Sequence, residues 1–145
     1  MYSLSAGERV VVAMSGGVDS SVVAALLTEQ GFRVIGVTLQ LQPCQEGVLA
    51  RSCCGLDGIR QASQTAHLLG IPHFVFPCAQ EFEELVLRSA WQDYARGRTP
   101  NPCLVCNRKI KFGLLLDYAR RLGAETVATG HYARIRAGES GETME

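Results

Sequence analysis

The chain has 145 residues, of which 47% are hydrophobic and 19% charged, a composition that excludes a disordered chain and suits one globular domain. Its 14 Lys and Arg residues balance its 14 Asp and Glu residues, so the net charge does not indicate a partner. No apolar run approaches the roughly 18 residues that span a bilayer, and the amino terminus lacks the pattern of a signal peptide. We therefore expect a cytoplasmic protein without a membrane partner, whose six cysteines stay reduced.

Strand and helix patterns alternate in the first half of the chain. The valine-rich residues 8–14 predict a buried strand that stops at a glycine turn. The helical spacing of apolar residues predicts a helix over 19–30, and residues 33–41 predict a second strand. Residues 42–56 lack periodicity and contain three cysteines, which is typical of a long exposed loop.

The same alternation continues in the second half. Asp57 is expected to be an N-cap, and the apolar pattern after it predicts a helix that stops at Gly70. Residues 73–77 predict a third strand, and residues 80–96 predict a third helix. A fourth helix is predicted over 107–122, after a segment whose two prolines interrupt regular helix.

A fourth strand, predicted over residues 125–129, completes an α/β pattern, and a polar tail follows over 136–145. Repeated strand and helix units of this size form a parallel sheet with helices on both faces, here expected as one domain over residues 1–135. Ligands of such sheets bind beyond the carboxyl ends of the strands. Three loops in that position contain unusual residues: 15–20, the stretch after Leu39, and 130–132.

The glycine turn after the first strand reads Ser15-Gly16-Gly17-Val18-Asp19-Ser20. Two glycines allow backbone amides to turn toward an anion, and the helix that follows adds free amides and the positive end of its dipole. The turn therefore predicts a phosphate-binding loop, although it lacks the ending of a Walker loop and the spacing of a dinucleotide fingerprint. The alternative is a structural turn in which glycine supplies the geometry and Asp19 and Ser20 cap the helix.

A second motif, Pro100-Asn101-Pro102-Cys103 followed by Cys106, lies between the third and fourth predicted helices. Its prolines stiffen the backbone. Cys106 is placed at the predicted start of a helix, where the dipole is expected to lower the thiol pKa and favour a nucleophilic thiolate. A redox disulfide between Cys103 and Cys106 is the alternative use of the pair.

Basic residues are concentrated around this motif. No acidic residue occurs between Asp93 and Asp117. The interval contains Arg96, Arg98, Arg108, Lys109 and Lys111. Such a strip suits a nucleic-acid backbone, and the alternative is an ordinary solvated helix face.

Ser-Gly-Gly-Val-Asp-Ser resembles the pyrophosphate loop of ATP pyrophosphatases, enzymes that transfer AMP to an oxygen of their substrate. With the segments GFRVIGVTLQL, LGIPH, GRTPNPCLVCNRKIKFG and ATGHYARI, residues 9–135 resemble the amino-terminal part of the bacterial tRNA-specific 2-thiouridylases. The resemblance implies a pyrophosphate-loop, Rossmann-like domain. It also implies an enzyme that uses ATP to adenylate the C2 oxygen of the wobble uridine of tRNA. Sulfur brought by a persulfide-carrying protein would then replace that oxygen.

The same resemblance assigns roles by position. The ATP contacts of the family fall on Ala13, Met14, Ser15, Gly16, Gly17, Val18, Asp19, Ser20, Leu39 and Gly130. Asp19 would bind the Mg²⁺ ion of the pyrophosphate. The contacts with the target base fall on Asn101, Pro102 and Cys103, and the nucleophilic cysteine falls on Cys106.

Two departures from the family pattern leave alternatives. Many members have Asp at the position of Cys103, so Cys103 and Cys106 are either ligands of a 4Fe–4S cluster or two thiols that handle sulfur. The regions that follow in the family are missing, so the chain is expected to be a truncated part of such an enzyme. The rival interpretations are another pyrophosphate-loop synthetase and a non-catalytic nucleotide- or iron–sulfur-binding module. His131 either approaches the nucleotide or is a structural histidine.

Overall fold

The computed structural model describes residues 5–41 and 55–133, together with the backbone of two strands, Ile135–Gly138 and Gly141–Met144. The loop predicted over 42–56 lies almost entirely outside these residues, with three of the six cysteines. In the part of the chain that is described, no helix is long and apolar enough to cross a bilayer.

Parallel strands form the central sheet of the described residues. They are β1 (Arg9–Ala13), β2 (Arg33–Gln40), β3 (His73–Pro77) and β4 (Thr126–Ala128), and their order across the sheet is β3-β2-β1-β4. Val10, Val11 and Val12 of β1 are fully buried, because β2 and β4 flank this strand on its two edges and helices pack on both faces of the sheet. Burial of each such side chain contributes about 1.5–3 kcal/mol. The parallel sheet predicted from the sequence is confirmed.

One face of the sheet is covered by helices α1 (Val18–Glu29) and α2 (Leu56–Leu69). Val12 of β1 belongs to the core on this face, together with Ala24 of α1 and Ala62 of α2. Alanine at these positions lets each helix approach the sheet closely, because a larger side chain would have to be accommodated between the layers.

The opposite face is covered by two helical segments that each contain a π-helical stretch. The first, α3, joins α-helix Ala79–Phe82, π-helix Glu83–Leu87 and α-helix Arg88–Ala95. The second, α4, joins α-helix Pro102–Cys106, π-helix Asn107–Leu114 and α-helix Leu115–Arg121. Val11 of β1 belongs to the core on this face, with Val86 of α3 and Ile110 of α4. Because successive side chains of a strand point to opposite faces, Val11 and Val12 anchor the two layers of helices.

Two helix starts differ from the sequence predictions. α4 begins at Pro102 and not at residue 107, because proline is compatible with the first position of a helix and Asn101 caps it, accepting a hydrogen bond from the Leu104 amide at 3.2 Å. α2 begins at Leu56 with Gly55 at the N-cap, so the prediction that Asp57 is the cap is wrong. Asp57 lies in the first turn, where its charge is favourable toward the helix dipole.

The residues after the sheet also differ from the expected polar tail. The strands β5 (Ile135–Gly138) and β6 (Gly141–Met144) pair as an antiparallel hairpin, with Gly138 opposite Gly141. The domain boundary at residue 135 stays a prediction.

Candidate functional site

The strand order creates a topological switch point at the carboxyl end of β1. The chain proceeds from β1 to β2 and β3 on one side, and it returns to β4 on the other side of β1. The strand order therefore reverses its direction between β1 and β4, and ligands of open α/β sheets bind at such a switch point. The two main nucleotide-binding segments expected from the sequence lie here: residues 13–20 after β1, and Gly130 after β4.

The loop after β1 is held by hydrogen bonds among its own residues. The Ser15 amide donates to Ser20 Oγ at 3.2 Å, and the Gly17 amide donates to Ser15 Oγ at 3.3 Å. The Ser20 hydroxyl donates to the Gly17 carbonyl at 3.2 Å, and the Ser21 hydroxyl donates to the same carbonyl at 2.8 Å. Because the Ser20 side chain is buried and bonded within the loop, its hydroxyl shapes the backbone around it.

The exposed part of this loop is suited to a phosphate. Ser15, Gly17, Val18 and Asp19 are exposed, whereas Met14 is buried beneath them. The first amides of α1 have no carbonyl of their own helix to bond, and they lie at the positive end of its dipole. The loop therefore presents backbone donors and the Ser15 hydroxyl on its outer side.

A second helix start lies against the same loop through Gly58 of α2. Gly16 has a φ of +85°, which is the left-handed region, and a Cβ placed on it would overlap the Gly58 carbonyl. Conversely, a Cβ on Gly58 would lie 2.8 Å from the carbonyl oxygen of Ser15. Sequence reasoning missed Gly58, whose only local signal is a glycine inside the first turn of a helix.

The segment after β4 packs directly on the start of α1. A Cβ on Gly130 would lie 2.8 Å from the Ser20 amide nitrogen and 3.0 Å from Asp19 Cβ, so only glycine allows this approach. The Tyr132 hydroxyl donates a hydrogen bond to Asp19 Oδ1 at 2.9 Å. Asp19 and Gly130, which were assigned separately from the sequence, are therefore neighbours. Tyr132, which lies in the expected loop 130–132 but was given no role from the sequence, joins them.

His131 is held on the outer side of this segment. Its Nδ1 lies 2.7 Å from Thr129 Oγ1, and its ring centroid lies 5.9 Å from that of Phe112 on α4. The imidazole is exposed. His131 thus contacts Thr129 and Phe112 close to the loop after β1. It stays open whether it approaches the nucleotide or is a structural histidine.

Hydrogen bonds from β2 and β3 hold the backbone of Met14, the residue just before the loop after β1. Thr38 Oγ1 of β2 donates to the Met14 carbonyl at 2.8 Å, and it lies 2.8 Å from His73 Nε2 of β3. Because a hydroxyl has one proton, His73 Nε2 is the donor in the second contact. Burial lowers the pKa of His73, which favours the neutral ring. The next residue, Leu39, which was expected to contact the nucleotide, is buried.

The two cysteines of α4 differ in accessibility. Cys103 is exposed, whereas Cys106 is only 7% exposed and belongs to the core beside Ile110. Cys106 is the fifth residue of α4 and not its first, so the expected effect of a helix start on its thiol has no basis in this structure. Among the described residues, no three His, Cys, Asp or Glu side chains are grouped as metal ligands.

The residues that the resemblance assigns to contacts with the target base lie at the start of α4. Asn101, Pro102 and Cys103 are exposed, as are Arg108 and Lys109 one to two turns later. Arg98 forms a salt bridge with Asp93 at 2.9 Å, so part of its charge is compensated locally. The strip remains compatible with a phosphate backbone and with a solvated face.

Comparisons with known sequences give several matches over nearly the whole chain. A family model described as tRNA methyl transferase HUP domain matches residues 8–145. The tRNA-specific 2-thiouridylase MnmA of Geobacter metallireducens is 51% identical over 141 residues, which are 94% of this chain and 38% of that protein. The protein of the same name in Pelotomaculum thermopropionicum is 56% identical over 137 residues, which are 92% of this chain and 37% of that protein. The chain thus spans a little over a third of the length of these relatives.

Solved structures with a similar fold are more distant in sequence. A predicted subunit of tRNA methyltransferase from Methanocaldococcus jannaschii has a TM-score of 0.55 and 22% identity, over 86% of this chain and 53% of that chain. A glutamine-dependent NAD+ synthetase from Acinetobacter baumannii, in complex with ADP, has a TM-score of 0.53 and 16% identity, over 81% of this chain and 20% of that chain. These likenesses confirm the predicted fold class, a Rossmann-like α/β domain with a parallel sheet.

Proposed function

Because the chain belongs to the family of the tRNA methyl transferase HUP domain, we propose that it is the ATP-using domain of a tRNA-specific 2-thiouridylase. Relatives of that name that are about half identical over nearly the whole chain support the proposal. The structural observation that carries it is the contact of Gly130 with Asp19 and Ser20 at the switch point of the sheet. That contact brings together two segments that are distant in the sequence, which would then bind one anion between them.

ATP would be bound with its phosphates on the outer side of the loop after β1. Asp19 fits a Mg²⁺ ion that is shared with the phosphates, because its carboxylate is exposed and only Oδ1 bonds to Tyr132. Mg²⁺ is usually held by one or two carboxylates together with phosphate oxygens and water, so a single protein carboxylate is enough for this arrangement. The bound Mg²⁺ would neutralise charge on the departing pyrophosphate.

The first step would convert the C2 oxygen of the uridine, which is a poor leaving group, into part of AMP, which is a good one. The C2 oxygen of the wobble uridine attacks the α-phosphorus of ATP, the bond to pyrophosphate breaks, and the uridine is adenylated. Sulfur then adds at C2, and AMP departs with the original oxygen. The exposed residues Asn101, Pro102 and Cys103 would contact the base, which must leave its stack to react. Such an enzyme would act in the cytoplasm on tRNA.

Cys106 would be the cysteine nucleophile of the sulfur step. A thiolate at this position attacks a persulfide on a sulfur-carrier protein and forms a disulfide with the carrier, which releases hydrosulfide to react at C2. Since Cys106 is buried, this step requires α4 to move, and the π-helical stretch that begins at Asn107 directly follows it. For the CxxC pair, in which Cys103 is exposed and Cys106 is buried, we propose the thiol route.

The test is pyrophosphate release from ATP and Mg²⁺, with and without tRNA. In the full-length enzyme we expect release that depends on tRNA, and we expect Asp19→Ala to abolish it. Asp117→Ala, which removes an exposed carboxylate paired with Arg120 on α4, is the matched control and should retain it. Release that depends on a small acceptor and not on tRNA would favour another pyrophosphate-loop synthetase and contradict the proposal.

A further inference from the structure

Tyr132 is largely exposed, yet its hydroxyl makes a hydrogen bond to a distant segment of the chain. The side chain is 88% exposed, and its hydroxyl nevertheless bonds to Asp19 Oδ1 at 2.9 Å, across 113 positions of the sequence. The backbone on both sides of this bond is fixed, because Gly130 packs against the first turn of α1. The bond therefore joins two segments whose spacing is already set.

We propose that Tyr132 is a positioning residue, which orients the Asp19 carboxylate so that Oδ1 is occupied and Oδ2 is directed to the metal of a bound nucleotide. This role rests on the proposed function, since it needs a metal–nucleotide complex at the loop after β1. It goes further by assigning a residue outside the loop to the metal carboxylate.

The chemistry of the pair suits this role. A short carboxylate side chain has several rotamers, and a hydrogen bond to one oxygen selects among them. A phenol is a neutral donor, so Asp19 keeps the charge that attracts a divalent cation, whereas Lys or Arg at this place would neutralise it. A phenol keeps its proton at neutral pH, so Tyr132 is the donor of this bond.

The test compares Tyr132→Phe with the wild type by calorimetric titration of a non-hydrolysable ATP analogue, at fixed and varied Mg²⁺. Loss of one hydrogen bond should weaken Mg²⁺-dependent binding about threefold to tenfold. Binding in the presence of a chelator should be unchanged, because Tyr132 is proposed to act through the metal carboxylate. Tyr94→Phe, at another exposed tyrosine on α3, is the matched control and should bind like the wild type.

A double-mutant cycle distinguishes positioning from a general structural effect. In an Asp19→Asn background, Tyr132→Phe should cause no further loss, since the carboxylate that it orients is gone. Equal weakening with and without Mg²⁺, or a full effect in the Asp19→Asn background, would overturn the role of Tyr132. If the wild type binds the analogue and Tyr132→Phe binds equally well, only this role fails. If the wild type does not bind the analogue, the proposed function fails and the role fails with it.

Discussion

Replacing Gly16 by alanine tests the close contact between the loop after β1 and α2. Gly16 has a φ of +85°, and a Cβ on it would overlap the Gly58 carbonyl while lying 2.8 Å from Gly58 Cα. Both obstacles are backbone atoms of α2, which cannot rotate away as a side chain could. We therefore expect Gly16→Ala to destabilise the fold by two separate effects.

The structure allows the two effects to be estimated and separated. A non-glycine residue in the left-handed region costs about 1–2 kcal/mol. Forcing an extra methyl group into a filled space costs about 1–3 kcal/mol more. Gly70 ends α2 with a φ of +67°, and a Cβ on it would have no atom within 4 Å, so Gly70→Ala should show only the first cost. The free energy of unfolding should fall by about 2–5 kcal/mol in Gly16→Ala and by about 1–2 kcal/mol in the control.

Urea unfolding followed by circular dichroism measures both variants under the same conditions. For a slope of about 2 kcal/mol per molar urea, the midpoint of Gly16→Ala should lie about 0.5–1.5 M below that of Gly70→Ala. Alanine also restricts the unfolded chain, but this effect is shared by the two variants and cancels in the comparison. Equal midpoints would show that α2 does not press on the loop, and the packing argument would be wrong.

Three further results are expected. The pKa of His73 is lowered from 6.5 by burial, so the stability that this residue contributes is present above pH 6.5 and is lost as the pH falls below it. The urea midpoints of the wild type and His73→Gln should therefore converge toward low pH, and a constant difference between them would contradict this. Asn101→Ala should lower the free energy of unfolding by about 0.5–2 kcal/mol, measured by thermal melting, because it removes the cap of α4. Iodoacetamide followed by peptide mass spectrometry should modify Cys103 well before Cys106, since only Cys103 is exposed, and equal rates would show that α4 opens readily.

The sheet and most helices could be predicted because their signals are local. The buried valines of β1 form an unbroken apolar run, and glycines mark the ends of several elements. The predicted start of α4 was wrong because two prolines indicate a break, although Pro102 occupies a position at which the missing amide is not needed. The family that the sequence motifs suggested is confirmed by the family model over residues 8–145.

The site was predictable to the extent that its residues follow strands. The loop after β1 and Gly130 after β4 were recognised because parallel strands direct their carboxyl ends to one edge. Gly58 carried no such signal, and Tyr132 lies in the expected loop 130–132 but was given no role, since the importance of each is defined by a contact with a distant segment of the chain. The burial of Cys106 was missed because its environment depends on how α4 packs on the sheet.

The segment after β4 lies between α1, which begins at the proposed ATP site, and α4, which carries the proposed nucleophile Cys106. Gly130 packs on α1 beside the phosphate loop, whereas the ring of His131 lies 5.9 Å from that of Phe112 on α4, the helix that carries Cys106. Adenylation and sulfur transfer act on one carbon and its oxygen in a single uridine, so the ATP phosphates and the cysteine must be held at a defined separation. The segment after β4 packs on α1 at Gly130 and lies beside α4 at His131, so in the proposed reaction we expect it to help set that separation.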